Sequence, residues 1–201
     1  MRPFRKIKEV GFYNTAKGAI RSLYYRSLMK KYGFEECHLS TYELRKYLQA
    51  VAKYVSSHSP KNEVIDVGCG LGGLLRHIDA PNRTGIDMSA NAIECAKFLD
   101  KTHKIEFKSG TYGAIGKDHT IDYLIALGFM HGSPETSWQE PFKIATSEND
   151  IKNIIVDVFK ENPAEGSLHL DFTKVLPSEY HLIERMGPFL GEKYVEVYSK
   201  L

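Results

Sequence analysis

The sequence predicts an α/β fold: a single-domain, doubly wound, mostly parallel sheet, preceded by a helical extension and ended by an antiparallel strand. Three observations carry that expectation. The run Val64-Ile-Asp-Val-Gly-Cys-Gly-Leu-Gly-Gly73 reads as a buried strand entering a glycine turn, with a helix directly behind it. Thr84-Gly-Ile-Asp-Met88 ends a second short strand in an acidic residue. Beyond them, strand-like apolar runs alternate with helix-periodic ones, the order that builds parallel sheets.

The elements follow in order. Residues 1–33 mix basic residues with Phe12, Tyr13, Ile20, Leu23, Tyr24 and Tyr25. Thr15 to Lys31 is expected to form an amphipathic helix that Gly33 stops. Ser40 and Glu43 have capping-box spacing, and Leu44, Tyr47, Leu48, Val51, Tyr54 and Val55 keep helical period, so a second helix is expected from Ser40. After the Ser56–Pro60 loop come strand 63–67, helix 71–79, strand 84–87, helix 90–101 and strands 104–108 and 121–127. The stretch 109–120 shows no clear helix. Ile151, Ile154, Ile155 and Val158 suggest a helix over 148–161 with Ser147 as its cap. Strand 167–172 follows Gly166, and strand 193–199, with Tyr194, Val195, Val197 and Tyr198, is expected to close the sheet antiparallel. The chain then divides into a basic helical segment or lid, 1–58, and a cofactor-binding body, 59–201.

At 201 residues, with 42% hydrophobic and 26% charged side chains, the composition is that of a soluble globular domain. No stretch approaches ~18 consecutive apolar residues, so no membrane span is expected. The basic start lacks an apolar signal core. Cys37, Cys69 and Cys95 are odd in number and lack metal-ligand spacing, which fits a reducing, cytoplasmic setting and no bound metal. The net charge of +2 hides an asymmetry: residues 1–33 hold nine Lys or Arg against one acid, Glu9. Such an excess attracts phosphates, anionic lipid surfaces or nucleic acid; it also fits a solvated basic helix over an acidic body.

Glycine suits the first turn because the backbone visits positive φ and a ligand must approach it closely. Asp87, ending the second strand, is placed to accept hydrogen bonds from ribose hydroxyls. Gly68-x-Gly70-x-x-Gly73 also satisfies the dinucleotide fingerprint, so a nicotinamide-dependent oxidoreductase is the competing reading. Three details favour S-adenosylmethionine. Asp66 lies inside the strand, where a carboxylate suits an ammonium and a sulfonium better than a pyrophosphate. Nearly sixty residues precede the first strand. Ile121-Asp-Tyr-Leu-Ile-Ala-Leu127 forms another buried strand, followed by an aromatic and histidine-bearing loop.

On these motifs the chain resembles the class I S-adenosylmethionine-dependent methyltransferases over residues 62–172. More loosely it is similar to small methyltransferases of polysaccharide biosynthesis, through Arg21-Ser-Leu-Tyr-Tyr-Arg-Ser, Gly-Cys-Gly-Leu-Gly at 68–72, and Gly-Phe-Met-His131. The resemblance implies a Rossmann-like fold, S-adenosylmethionine as cofactor and S-adenosylhomocysteine as product. It puts Asp66 near the cofactor's amino group and Gly68, Cys69, Gly70 and Gly72 along its methionine part. Asp87 holds the ribose, Met88 lies against adenine, and Leu127 adds a wall. Many relatives place an acid after the third strand for the adenine amino group; here Ser109, Gly110 and Thr111 stand in that place.

Methyl transfer to an alcohol gains from a base that takes the proton. His131 is the first candidate and Asp171 the second; either also reads as a structural residue, and His169 as a packing one. Trp138, Phe129 and Tyr112 are candidate substrate contacts, an indole being a flat apolar wall for a sugar ring. The chain lacks an Asn-Pro-Pro-Tyr-like loop, a Pro-Cys pair, and an Asp-Asn pair after the fifth strand. Base-amine methylation, covalent cysteine chemistry on pyrimidines and a catalytic divalent ion are therefore disfavoured. What remains is O-methylation of a small molecule or saccharide, with a phosphate-bearing or lipid-linked acceptor suggested by the basic arm and nucleic acid disfavoured. A non-catalytic cofactor-binding protein recruited through that arm is the alternative outside enzymes.

Overall fold

The aliphatic runs build a seven-stranded sheet in the order β3-β2-β1-β4-β5-β7-β6. The computed structural model describes residues 3–130, 135–159, 170–189 and 192–200. The strands are β1 (Glu63–Val67), β2 (Asn82–Asp87), β3 (Glu106–Ser109), β4 (Thr120–Ala126), β5 (Asp150–Phe159), β6 (Tyr180–Phe189) and β7 (Lys193–Lys200). The first five run parallel, and β7 pairs antiparallel with both β5 and β6. The helices are α1 (Pro3–Tyr32), α2 (Lys46–Ser57), α3 (Ala90–Leu99) and α4 (Glu135–Glu148).

Strand alternation splits the core in two. Ile65, Val67, Leu124 and Ala126 face one side, where α4 contributes Trp138, Phe142 and Ala145. Val64, Tyr123 and Ile125 face the other, against Val51, Ala52 and Val55 of α2 and Ile93 and Ala96 of α3. Thus α2, grouped by sequence with the lid, packs into the body.

Several expected elements differ. The helix expected over 148–161 is not found where it is described: β5 occupies Asp150–Phe159 and the helix lies earlier, as α4, ending at Glu148. In a central strand buried on both faces, β-branched residues run almost continuously, and Ile151, Ile154, Ile155 and Val158 match helical spacing by coincidence. Ser147 is therefore not a cap, and its hydroxyl donates back to the Ile144 carbonyl inside α4. The helix expected at 71–79 is one 3₁₀ turn, Leu75–His77, since the glycines before it and Pro81 after it leave little room. Strand 167–172 is absent where described: residues 160–169 lie outside the described set, and Phe172–Lys174 is a 3₁₀ turn. The Ser40–Glu43 capping box does not form either. A 3₁₀ turn spans Tyr42–Leu44, α2 starts at Lys46, and the Ser40 hydroxyl accepts from Arg45 Nε at 2.7 Å.

The basic arm is one long helix bent at Gly11, whose φ of 81° breaks the helical path. Its inner face seats Tyr25 and Leu28 against Leu71, Ala92 and Cys95. Gly18 makes the close approach: a Cβ there would stand 2.5 Å from Leu44 Cγ. Beside it Arg21 meets the buried Glu43 at 2.5 Å, with Lys17 at 3.5 Å from the same oxygen. Arg21 is thus a tie between arm and body.

Candidate active site

In an open α/β sheet a ligand site forms beyond the carboxyl ends of the strands, where the winding reverses. Here that point lies between β1 and β4, and a cavity of about 720 Å³ opens there. Gly68, Cys69 and Gly70 form its floor. Gly68 has φ 77° and faces the Phe129 ring, which a Cβ would approach to 2.5 Å. The turn is pinned from below: the Gly68 and Cys69 amides donate to the Ile86 carbonyl at 2.8 and 3.0 Å, and the Gly70 amide donates to Asp87 Oδ2 at 2.8 Å. These three amides are committed inside the protein, and the space a side chain would take at Gly68 and Gly70 is held by Phe129 and His38.

Asp87 also accepts the Ser89 amide on Oδ1 at 2.9 Å. Each carboxylate oxygen keeps a lone pair for the cavity, enough for a diol. Asp66, one strand over, is buried against the same space, and no donor among the described residues reaches it. Burial, helped by the Asp87 charge, pushes its carboxyl from 3.8 up to about 8. A buried acid without a donor among the described residues, open to a cavity, is held neutral by burial and gains its charge only beside a cation.

The cavity brings together most of the residues expected from sequence: Asp66, Gly68, Cys69, Gly70, Asp87 and Met88 on one side. Gly110, Thr111, Tyr112, Leu127, Phe129 and Trp138 complete it. Three expected residues are elsewhere. Gly72 packs against the Phe107 ring, which a Cβ would meet at 2.6 Å. Ser109 is still inside β3, in register with Asp87. Asp171 caps the 3₁₀ turn after it, accepting from Thr173 Oγ1 at 2.6 Å and facing Lys174 at 3.2 Å. It lines a separate hollow with Arg185 and Tyr194, because β5 takes the sheet position expected for 167–172. His131 and His169 lie outside the described residues.

Tyr112 and Trp138 are walls more than handles. Burial drives the Tyr112 phenol far upward, and its hydroxyl rests on Met130 Sδ at 3.6 Å. Trp138 belongs to α4 and packs near Phe142 and Phe172, not in a polar loop. Asp122, at the opposite end of β4, is structural. It accepts the Asn62 amide at 2.6 Å and holds Lys152 at 2.7 Å.

The mouth is made by the segment between α1 and α2, within the 1–58 stretch expected to form a lid, where no site residue was expected. Glu35, Cys37, His38, Tyr42 and Arg45 line it. His38 Nε2 lies 3.3 Å from Glu35 Oε2, and Glu35 accepts the Ser89 hydroxyl at 3.0 Å. The backbone amide of Glu35 and that hydroxyl hold its carboxyl below the usual range. The other ring nitrogen of His38, Nδ1, stands 3.0 Å from where a Cβ on Gly70 would be. Only tertiary folding joins this pair to the glycine turn, so no spacing rule could find it. Among the described residues no cluster of three or more His, Cys, Asp or Glu could hold a metal.

No protein-family model matches the chain, and no curated protein matches its sequence. Solved structures do match. Magnesium protoporphyrin IX methyltransferase from Synechocystis, with S-adenosylmethionine bound, aligns over 94% of this chain and 97% of its own, at 12% identity and a TM-score of 0.63. The N-methyltransferase NodS from Bradyrhizobium japonicum aligns over 77% of this chain and 95% of its own, at 13% identity and TM-score 0.61. A mitomycin 7-O-methyltransferase aligns over 78% of this chain and 54% of its own, at 13% identity and TM-score 0.56. The fold is that of the class I S-adenosylmethionine-dependent methyltransferases.

Proposed function

We propose that the chain is an S-adenosylmethionine-dependent methyltransferase acting on a hydroxyl of a small molecule or saccharide. The observation that carries it is the pair of buried carboxylates, Asp66 and Asp87, facing one cavity across a glycine turn. The two acceptors match the cofactor's two chemical ends: Asp66 binds an ammonium and Asp87 a ribose diol. The pairing disfavours a pyrophosphate, whose charges would meet an acid on each side. Bound S-adenosylmethionine supplies a methyl group activated by sulfonium.

The remaining work falls to this chain. Gly68 and Gly70 give close access, Met88 flanks the adenine, and Leu127, Phe129 and Trp138 exclude water. An acceptor entering past Tyr42 and Arg45 meets His38. With Nε2 beside Glu35, His38 takes the acceptor's hydroxyl proton through Nδ1, at the edge of the glycine turn, and Glu35 stabilises the resulting imidazolium. His131, two residues past Phe129, is the base that sequence alone favours, and it is tested beside His38.

Calorimetric titration with S-adenosylmethionine and with NAD tests the cofactor, and transfer of labelled methyl to a panel of alcohol and saccharide acceptors tests the activity. Tighter binding of NAD would overturn the reading. Cofactor binding without transfer to any hydroxyl would leave a binding protein.

A further inference from the structure

The face of α1 turned away from the body carries Phe12, Tyr13, Ile20 and Leu23 at 74, 75, 71 and 65% exposure, with Tyr24 at 45%. At about 100° per residue these five positions fall within one third of the helix circumference. Gly18, Arg21, Tyr25 and Leu28 lie opposite and make the contacts with the body. Soluble monomers rarely expose a contiguous apolar stripe of this kind without using it.

From Phe12 to Lys31 the charges of the helix have one sign. Arg26 and Lys30 are exposed along its edge, and among the described residues neither has an acidic partner. Lys31, at its end, sits 5.1 and 5.0 Å from the rings of Tyr32 and Phe98. Lys17 and Arg21 are turned inward to Glu43, so the outward cations are those bordering the apolar residues. A second copy docked on this face would set like charges together. Nucleic acid would gain nothing from burying Ile20 and Leu23. An aromatic and aliphatic stripe edged by cations suits a helix lying at the headgroup level of an anionic bilayer.

We propose that the outer face of α1 docks the protein on an anionic lipid surface as an interfacial helix. The inference rests on the arm alone and holds whether or not the cavity transfers methyl groups. Tyr25, on the inner face, lines the cavity, so docking would bring the cavity to within one helix diameter, about 10 Å, of the lipid.

Co-sedimentation of the full chain with vesicles tests it, using phosphatidylcholine alone and phosphatidylcholine mixed with phosphatidylglycerol. The protein should pellet with the mixed vesicles and not with the neutral ones, and added salt should release it. Arg26→Gln with Lys30→Gln should weaken binding about tenfold or more, at roughly 1 kcal/mol per cation near the surface. Phe12→Gln, Ile20→Gln and Leu23→Gln together should abolish it with an unchanged Tm, since all three side chains face solvent. Failure to bind mixed vesicles, equal binding to neutral ones, or undiminished binding by either variant would overturn the proposal. A dimer that the apolar variant converts to monomer, without vesicle binding, would assign the face to a second copy. Preferential retention on a single-stranded RNA matrix would assign it to nucleic acid.

Discussion

Arg21 Nη1 lies 2.5 Å from Glu43 Oε1, and Glu43 is 2% exposed. A residue that sequence places in a basic arm open to anionic acceptors is thereby a fastening of that arm. Breaking a buried pair from one side leaves an uncompensated charge, and the arm also roofs the cavity through Tyr25 and the Glu35–His38 turn.

Arg21→Gln should therefore lower unfolding free energy by about 2–3 kcal/mol, toward the low end for a broken buried pair because Lys17 still faces Glu43. Adding Glu43→Gln should recover most of the loss. Urea denaturation of the two single variants and the double one measures this coupling. A double variant as unstable as the sum of the singles would mean that the two residues act independently.

Asp66 gives a dependence on pH with a definite sign. Its carboxyl ionises near 3.8 when unfolded and about 8 when folded. Between those values the unfolded chain has lost a proton that the folded chain keeps, so this group's contribution to stability falls as pH rises through the window. Asp66→Asn should flatten that slope in a Tm series. A cationic ligand favours the ionised form, so cofactor affinity should rise up to about tenfold per pH unit below 8 and then level off, with proton release on binding. Calorimetry in buffers of different ionisation enthalpy reads that proton. The same pH profile in Asp66→Asn would remove Asp66 from the ammonium site.

Asp87→Ala should weaken cofactor binding by about 1–3 kcal/mol, the scale for lost hydrogen bonds to a charged group. It should also free the Gly70 amide, so a fall in Tm should accompany it. Asp87→Asn keeps an acceptor for that amide and should recover the Tm more than the affinity. Equal affinity in wild type and a folded Asp87→Ala protein would end the ribose assignment.

How much of this was legible beforehand depended on how local each cause was. The glycine turn could be read because positive φ at Gly68 and Gly70 and the acid ending β2 are written into adjacent residues. Resemblance then supplied Asp66 and the order of the site. Residues 150–159 were misread because burial on both faces erases the strand period and leaves isoleucines at helical intervals. Displacing that strand also carried Asp171 away from the cavity. Glu43 looked like half of a capping box, since nothing local reveals that Arg21, on another helix, claims it. Asp157 gave no signal at all. It accepts the Gly128 amide at 2.9 Å and pairs with Lys193, joining the end of β4 to β7 across distant parts of the chain.

His38 is the most exacting case, because its proposed role rests on placement alone. If it takes the acceptor's proton, His38→Ala should lower kcat by ~10²–10⁴ while cofactor affinity stays nearly constant, the usual range for losing a general base. Glu35→Gln, which keeps the hydrogen bond but not the charge, should reduce kcat less, because the ring keeps its orientation and loses only the anionic partner of the imidazolium. Steady-state kinetics on the three proteins, with His131→Ala measured in parallel, separates the alternatives. A loss confined to His131→Ala would return the role to the residue that sequence favours. Loss of cofactor binding in His38→Ala would show that the ring only props up the glycine turn.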